Sequence, residues 1–132
     1  MFKIDSENQI IYLTRGDSAD IIFSARTDNG TGEQFHPTKY DKLTFCVAKK
    51  LEEEPLIQIV NEMDNDEMSF WSVSIEPHHT ENLKPAKYNF DVQVEIRDST
   101  TGELVGVKTI IGKTDDITPY FILWGDISPQ GE

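Results

Sequence analysis

Several groups of residues in this chain have the types and spacing to do chemistry. Arg15-Gly16-Asp17 spells the tripeptide that integrins bind. Read as structure, Gly16 permits a tight turn ahead of a strand and Asp17 accepts from nearby backbone amides, so the three residues are taken as a structural turn. His78-His79, with Glu76 and Glu81 close by, brings imidazoles and carboxylates together. Neighbours in an extended segment point to opposite faces, and helical ligand pairs sit three or four residues apart. The third histidine, His36, belongs to a different loop, so no zinc site is expected. Asp64, Asp66 and Glu67 have the oxygen-rich spacing of a calcium loop. The glycine and glutamate that such a loop requires at its sixth and twelfth positions are here Ser69 and Ile75. That segment and Asp115-Asp116 are read as acidic turns.

Catalysis finds no better footing. The lone Cys46 alternates within an apolar strand segment, where a thiol away from positive charge is inert. The chain has no nucleophile elbow and no phosphate-cradling glycine loop. Its acidic residues always offer a carboxylate pair, so such a pair is non-specific support for glycoside hydrolysis. The expectation is a non-enzymatic protein with no cofactor and no bound metal. Trp71 and Trp124 are the residues to weigh for ligand binding. Trp71 shares its parity with Val73 and Ile75 and is assigned to the core. Tyr120, Ile122 and Trp124 share another parity and form a candidate apolar stripe for a neighbouring subunit or a ligand, with Phe121 and Leu123 turned inward.

The elements that must position these residues are strands. The alternation has period two almost throughout. It is cleanest where Tyr88, Phe90, Val92, Val94 and Ile96 interleave with Asn89, Asp91, Gln93 and Glu95, the pattern of a strand with one buried and one wet face. Leu43, Phe45 and Val47 repeat it, as do Ala19, Ile21, Phe23 and Ala25, and Trp71, Val73 and Ile75. Further strands are expected over 10–14, 56–60, 103–111 and 117–124. Pro119 inside the last of these marks an edge or a bulge. Turn residues fall between the runs, notably Asp28-Asn29-Gly30 and Ser99-Thr100-Thr101-Gly102. Only 78–84 has room for a helical turn or two.

The 132 residues carry 24 acidic and 12 basic side chains, a formal charge of −12. That length suits one domain, 1–132, with its core over about 10–124 and flexible termini. The acidic balance argues against nucleic acid, since phosphate neutralisation needs clustered Lys and Arg. A single cysteine excludes an internal disulfide. No apolar run approaches the roughly 18 residues of a membrane span, and acids stand where a secretion signal needs an apolar stretch. Synthesis in a reducing cytosol is expected. About eight strands with regular turns predict an all-β, immunoglobulin-like antiparallel β-sandwich without a disulfide, with a closed barrel as the alternative. Leu83 followed by Tyr88 fits the tyrosine corner of such sandwiches, with Ala86 where a glycine is usual.

The order of these pieces is informative. Ile11-Tyr12-Leu13-Thr14-Arg15-Gly16-Asp17-Ser18-Ala19 is followed by the loop with Asp28, Asn29 and Gly30, then by Asp41-Lys42-Leu43-Thr44-Phe45-Cys46-Val47-Ala48-Lys49. Leu83, Tyr88 and Phe90-Asp91-Val92-Gln93-Val94 come next, and Thr109-Ile110-Ile111-Gly112-Lys113 closes the series. Together, over about 10–124, they resemble the N-terminal immunoglobulin-like domain of siphophage baseplate upper proteins and related tail proteins of phages and prophages of Gram-positive gut bacteria. The resemblance implies a virion structural part in the tail or baseplate. It implies an assembly adaptor that contacts other tail proteins and copies of itself, made in the bacterial cytoplasm. Ala86 departs from the family's Gly-Xaa-Tyr corner, and the larger members continue into helical and receptor-binding regions where this sequence stops at Glu132. A carbohydrate-binding or adhesion module on the same fold is the alternative, with a glycan as its partner.

Overall fold

The computed structural model describes residues 1–23, 41–50, 53–62, 71–98 and 100–125. The acidic stretch with Asp64, Asp66 and Glu67, the loop with Asp28, Asn29 and Gly30, His36 and Ala25 lie outside them. Nine strands and one helical turn are present among the described residues: β1 (Phe2–Asp5), β2 (Ile10–Thr14), β3 (Ala19–Phe23), β4 (Lys42–Ala48), β5 (Ile57–Glu62), β6 (Trp71–Ile75), α1 (Pro77–Thr80), β7 (Ala86–Arg97), β8 (Leu104–Ile111) and β9 (Tyr120–Trp124).

They form a β-sandwich. A seven-stranded sheet runs β1-β2-β9-β7-β4-β5, with β8 also paired to β7, and a two-stranded sheet pairs β3 with β6. The alternating residues meet between the sheets. Ala19, Ile21 and Phe23 of β3 and Trp71, Val73 and Ile75 of β6 face Ile11, Leu13, Leu43, Phe45, Val47, Tyr88, Phe90, Val92, Val94, Phe121 and Leu123 of the larger sheet, all buried. Phe45 is the hub, with ring centroids 6.0 Å from Phe23, 5.8 Å from Phe90 and 6.4 Å from Phe121. Trp71 is fully buried and belongs to this core, not to a binding surface.

β7 is the strand everything else is registered on. Its inner edge pairs antiparallel with β4, Phe45 opposite Val92 and Cys46 opposite Asp91. Its other edge is shared: Ala86 to Asn89 pair with β9, and Val92 to Arg97 pair with β8 across two bulges. β8 and β9 thus share one side of β7 end to end, and Pro119 lies between them, just ahead of β9. The last strand therefore begins at Tyr120 instead of 117. A proline at a strand entrance removes no ladder donor, and the Pro119 carbonyl accepts from the Phe90 amide.

Two features depart from the sequence reading. β2 and β9 run parallel, Tyr12 opposite Ile122, so the larger sheet is not purely antiparallel. The N-terminal residues form β1, paired with β2, although exposure on both faces keeps them out of the core. Backbone pairing alone holds such a strand, and side-chain alternation does not announce it.

The corner before β7 is the tyrosine corner. The Tyr88 hydroxyl donates to the Lys84 carbonyl at 2.5 Å, and its ring is buried beneath the turn. Burial pushes the Tyr88 phenol above its ordinary pKa, offset by the Lys84 bond. At the other end of β7 the turn is closed by Asp98, whose carboxylate accepts from the Thr100 and Thr101 amides at 2.8 and 2.9 Å, while Gly102 takes φ +78°.

Phe45→Ala should lower stability by about 3–5 kcal/mol, because its ring bridges both sheets. Tyr88→Phe, which removes only the hydroxyl, should cost about 0.5–1.5 kcal/mol. Urea unfolding checks both: the midpoint should fall for each, and for Tyr88→Phe with an unchanged slope.

Candidate functional site

The outward residues of β9 do not stand alone. Phe121 and Leu123 are buried, and Tyr120, Ile122 and Trp124 turn to the opposite face of the sheet, where Trp124 keeps 36% of its surface exposed. The parallel pairing with β2 brings Tyr12 alongside, its ring 5.3 Å from that of Trp124. Lysines from the flanking strands close the patch: Lys3 of β1 lies 5.5 Å from the Tyr12 ring and Lys87 of β7 lies 4.4 Å from the Tyr120 ring. Both are within cation–π range. The result is an aromatic stripe bracketed by two ammonium groups, on a chain of formal charge −12. Tyr12, Lys3 and Lys87 escaped the sequence reading. Tyr12 has the parity for it, but which strand lies beside β9 is a matter of long-range pairing.

The Arg15-Gly16-Asp17 turn is engaged within the fold next to this stripe. The Arg15 amide donates to the Trp124 carbonyl at 2.8 Å, and the Arg15 Nη1 reaches the Leu83 carbonyl at 3.5 Å. Gly16 has φ +85°, a conformation that favours glycine, and its amide donates to Oγ1 of the buried Thr80 at 2.9 Å. Asp17 pairs with the α-amino group of Met1, which also donates to the Thr14 hydroxyl. Leu83, partly buried, packs on the core just ahead of Tyr88. The ends of β2, β9 and the α1 corner are therefore tied into one joint beneath the stripe.

The remaining chemistry-bearing residues sit elsewhere. His78 and His79 stack at 4.1 Å, and His79 Nδ1 accepts from the Glu76 amide at 2.8 Å, closing the α1 turn. Burial, and to a lesser degree the neighbouring His78, hold the His79 imidazole below its usual pKa, against the pull of Glu76. Among the described residues no group of three or more His, Cys, Asp or Glu side chains is gathered to hold a metal ion. Among the described residues no helix is long and apolar enough to cross a membrane.

Cys46 shares the parity of Thr44, opposite the inward Leu43, Phe45 and Val47, and so lies outside the core. It lies half-buried on the outer face of β4, opposite Asp91, beside a shallow depression also lined by Ala48, Lys50, Glu53 and Asn89. Burial and then the Asp91 charge push its thiol above the ordinary value, and burial likewise raises the Asp91 carboxyl. A thiol held protonated beside a carboxylate is a poor nucleophile.

Compared with known proteins, the chain matches no family model and no curated protein sequence.

The Cys46–Asp91 pair has two measurable consequences. Alkylation of native Cys46 by iodoacetamide should be slower than that of free cysteine at pH 8, with its midpoint above that of an ordinary cysteine, and Asp91→Asn should speed it. Because the folded Asp91 binds its proton more tightly than the unfolded residue, its contribution to stability is greatest below the unfolded value of 3.8 and is lost as pH rises through the raised native value. Asp91→Asn should therefore raise the denaturation midpoint at pH 7 and leave it nearly unchanged at pH 3.

Proposed function

We propose that this chain is a non-enzymatic structural component of a phage or prophage tail or baseplate, an adaptor that joins other virion proteins through protein–protein contacts. The observation that carries the reading is the aromatic stripe of Tyr12, Trp124, Ile122 and Tyr120 on a rigid sheet face. Aromatic side chains supply large contact area at low entropic cost and are enriched at the cores of interfaces. The stripe rests on the joint made by the Arg15-Gly16-Asp17 turn and the α1 corner, which suits a docking surface whose shape must not change on binding. The order of motifs along the chain, similar to that of baseplate immunoglobulin-like domains, names the kind of assembly. The high negative charge keeps an unassembled subunit soluble.

The same stripe supports a second reading, a carbohydrate-binding module. Tyr12 and Trp124, tilted by 40° with Trp124 partly exposed, offer ring faces on which a sugar can stack.

Antibodies raised against the chain should label one end of the tails of particles released when the source strain is induced. Tagged wild-type chain, expressed during induction, should co-purify with those particles, and Trp124→Ala, folded by circular dichroism, should do so at least ten-fold less. Absence of the chain from purified particles, together with glycan binding that Trp124→Ala abolishes, would overturn the adaptor reading in favour of the carbohydrate module.

A further inference from the structure

The aromatic stripe lies in register with the lysines that bracket it. Lys3 stands directly opposite Tyr12, Tyr12 opposite Ile122, and Ile122 opposite Lys87, so the four form one straight row across β1, β2, β9 and β7. Thr14 and Trp124 flank that row on one side, and Asp5, Ile10, Tyr120 and Asn89 make the next row on the other. Both lysines are exposed, and among the described residues neither forms an ion pair, although Lys3 acts weakly on Asp5. Each ammonium is instead perched over a ring, Lys3 over Tyr12 and Lys87 over Tyr120. In a chain with twice as many acids as bases, these rows carry two lysines and a single carboxylate. That carboxylate, Asp5, already accepts from the backbone and side-chain amides of Asn8 at 3.2 and 2.9 Å. The next carboxylate along β7, Asp91, lies beyond Asn89 at the Cys46 depression.

We infer that the stripe receives an extended acidic segment of a partner protein, laid across the strands, with carboxylates on residues four apart and an apolar side chain midway between them. The inference rests on the reading of the stripe as a docking surface and names the chemistry of what docks there. Charge complementarity selects an anionic occupant, since a cationic one would meet both ammonium groups. Spacing selects its conformation. Lys3 and Lys87 are three strand spacings apart, about 14 Å between Cα atoms. Residues i and i+4 of an extended chain point the same way and lie about 13 Å apart, and the side chain at i+2 shares their face and falls over Tyr12 and Ile122. Carboxylates four apart on a helix are only about 5–6 Å apart and would reach one lysine alone. The rest of the chain limits the size of the occupant. A long polyanion or a broad acidic surface would run from the lysines onto a body of formal charge −12, whereas a narrow segment meets the lysines alone. Holding each ammonium over a ring restricts it before the partner arrives, which lowers the ordering cost of binding.

A peptide of sequence Thr-Glu-Thr-Leu-Thr-Glu-Thr, titrated into the isotopically labelled full chain, tests this by nuclear magnetic resonance. It should shift the amide signals of Lys3, Tyr12, Lys87 and Ile122. It should bind about five-fold more tightly than the same peptide with glutamine for glutamate, the effect of two exposed ion pairs. Lys3→Glu combined with Lys87→Glu, both at exposed positions, should reverse the preference in favour of the peptide with lysine for glutamate, which damage to the fold would not do. Equal binding of the glutamate and glutamine peptides, no shift at those four residues, or heparin bound at the stripe in place of the peptide would overturn the inference. The particle assay separates it from the docking reading. Lys3→Gln combined with Lys87→Gln should reduce co-purification with the particles, as Trp124→Ala does. Loss with Trp124→Ala but not with the lysine pair would overturn the acidic segment and leave the docking surface standing. Retention of both variants would remove the docking surface and the inference with it.

Discussion

One extended strand carries the constraint on which the rest of the molecule depends. β7 commits twelve residues to a single register, and every other strand of the larger sheet is placed from it. Its inward set, Tyr88, Phe90, Val92 and Val94, fixes which face is dry. A slip of one residue would turn that whole set to water. The two ends of β7 are pinned against such a slip, by the Tyr88 hydroxyl on the Lys84 carbonyl at the start and by the Asp98 turn at the finish. Phe45, lodged between Phe23, Phe90 and Phe121, then converts the register of one sheet into the position of the other.

The side of β7 that β8 and β9 share accounts for the place of the candidate surface. Because β9 takes only the first part of that edge, it meets β2 on its far side and brings Tyr12 beside Trp124. Because β8 takes the second part, it lies apart from the stripe, with Leu104, Val105 and Val107 exposed and Ile110 and Ile111 packed against the core. Burial, and after it the Asp91 charge, keeps the Cys46 thiol protonated, burial alone raises the Asp91 carboxyl, and His79 is spent on closing a turn.

The integrin-type tripeptide illustrates how a motif can be absorbed by a fold. Arg15 and Gly16 give their amides to Trp124 and Thr80, and Asp17 gives its carboxylate to the α-amino group. Each serves to close the end of the sandwich beneath the aromatic stripe.

The existence of every strand but β1, the inward parity and the corner tyrosine were determined by the sequence alone, because period-two alternation and a proline-bounded turn are local properties. The same parity separated Tyr120, Ile122 and Trp124 from Phe121 and Leu123. Strand partners were not legible. Nothing within β2 or β9 says that they run parallel side by side, so Tyr12, Lys3 and Lys87 joined the stripe only in three dimensions. Cys46 falls on the outer face with Thr44, as its parity requires, while the ladder partners Asp91 and Gln58 that set its surroundings were not legible. β8 reads as an ordinary apolar strand, and only the tertiary structure leaves Val105 and Val107 exposed. Local periodicity sets which way a side chain points; what it points at is decided by pairings between residues far apart in the chain.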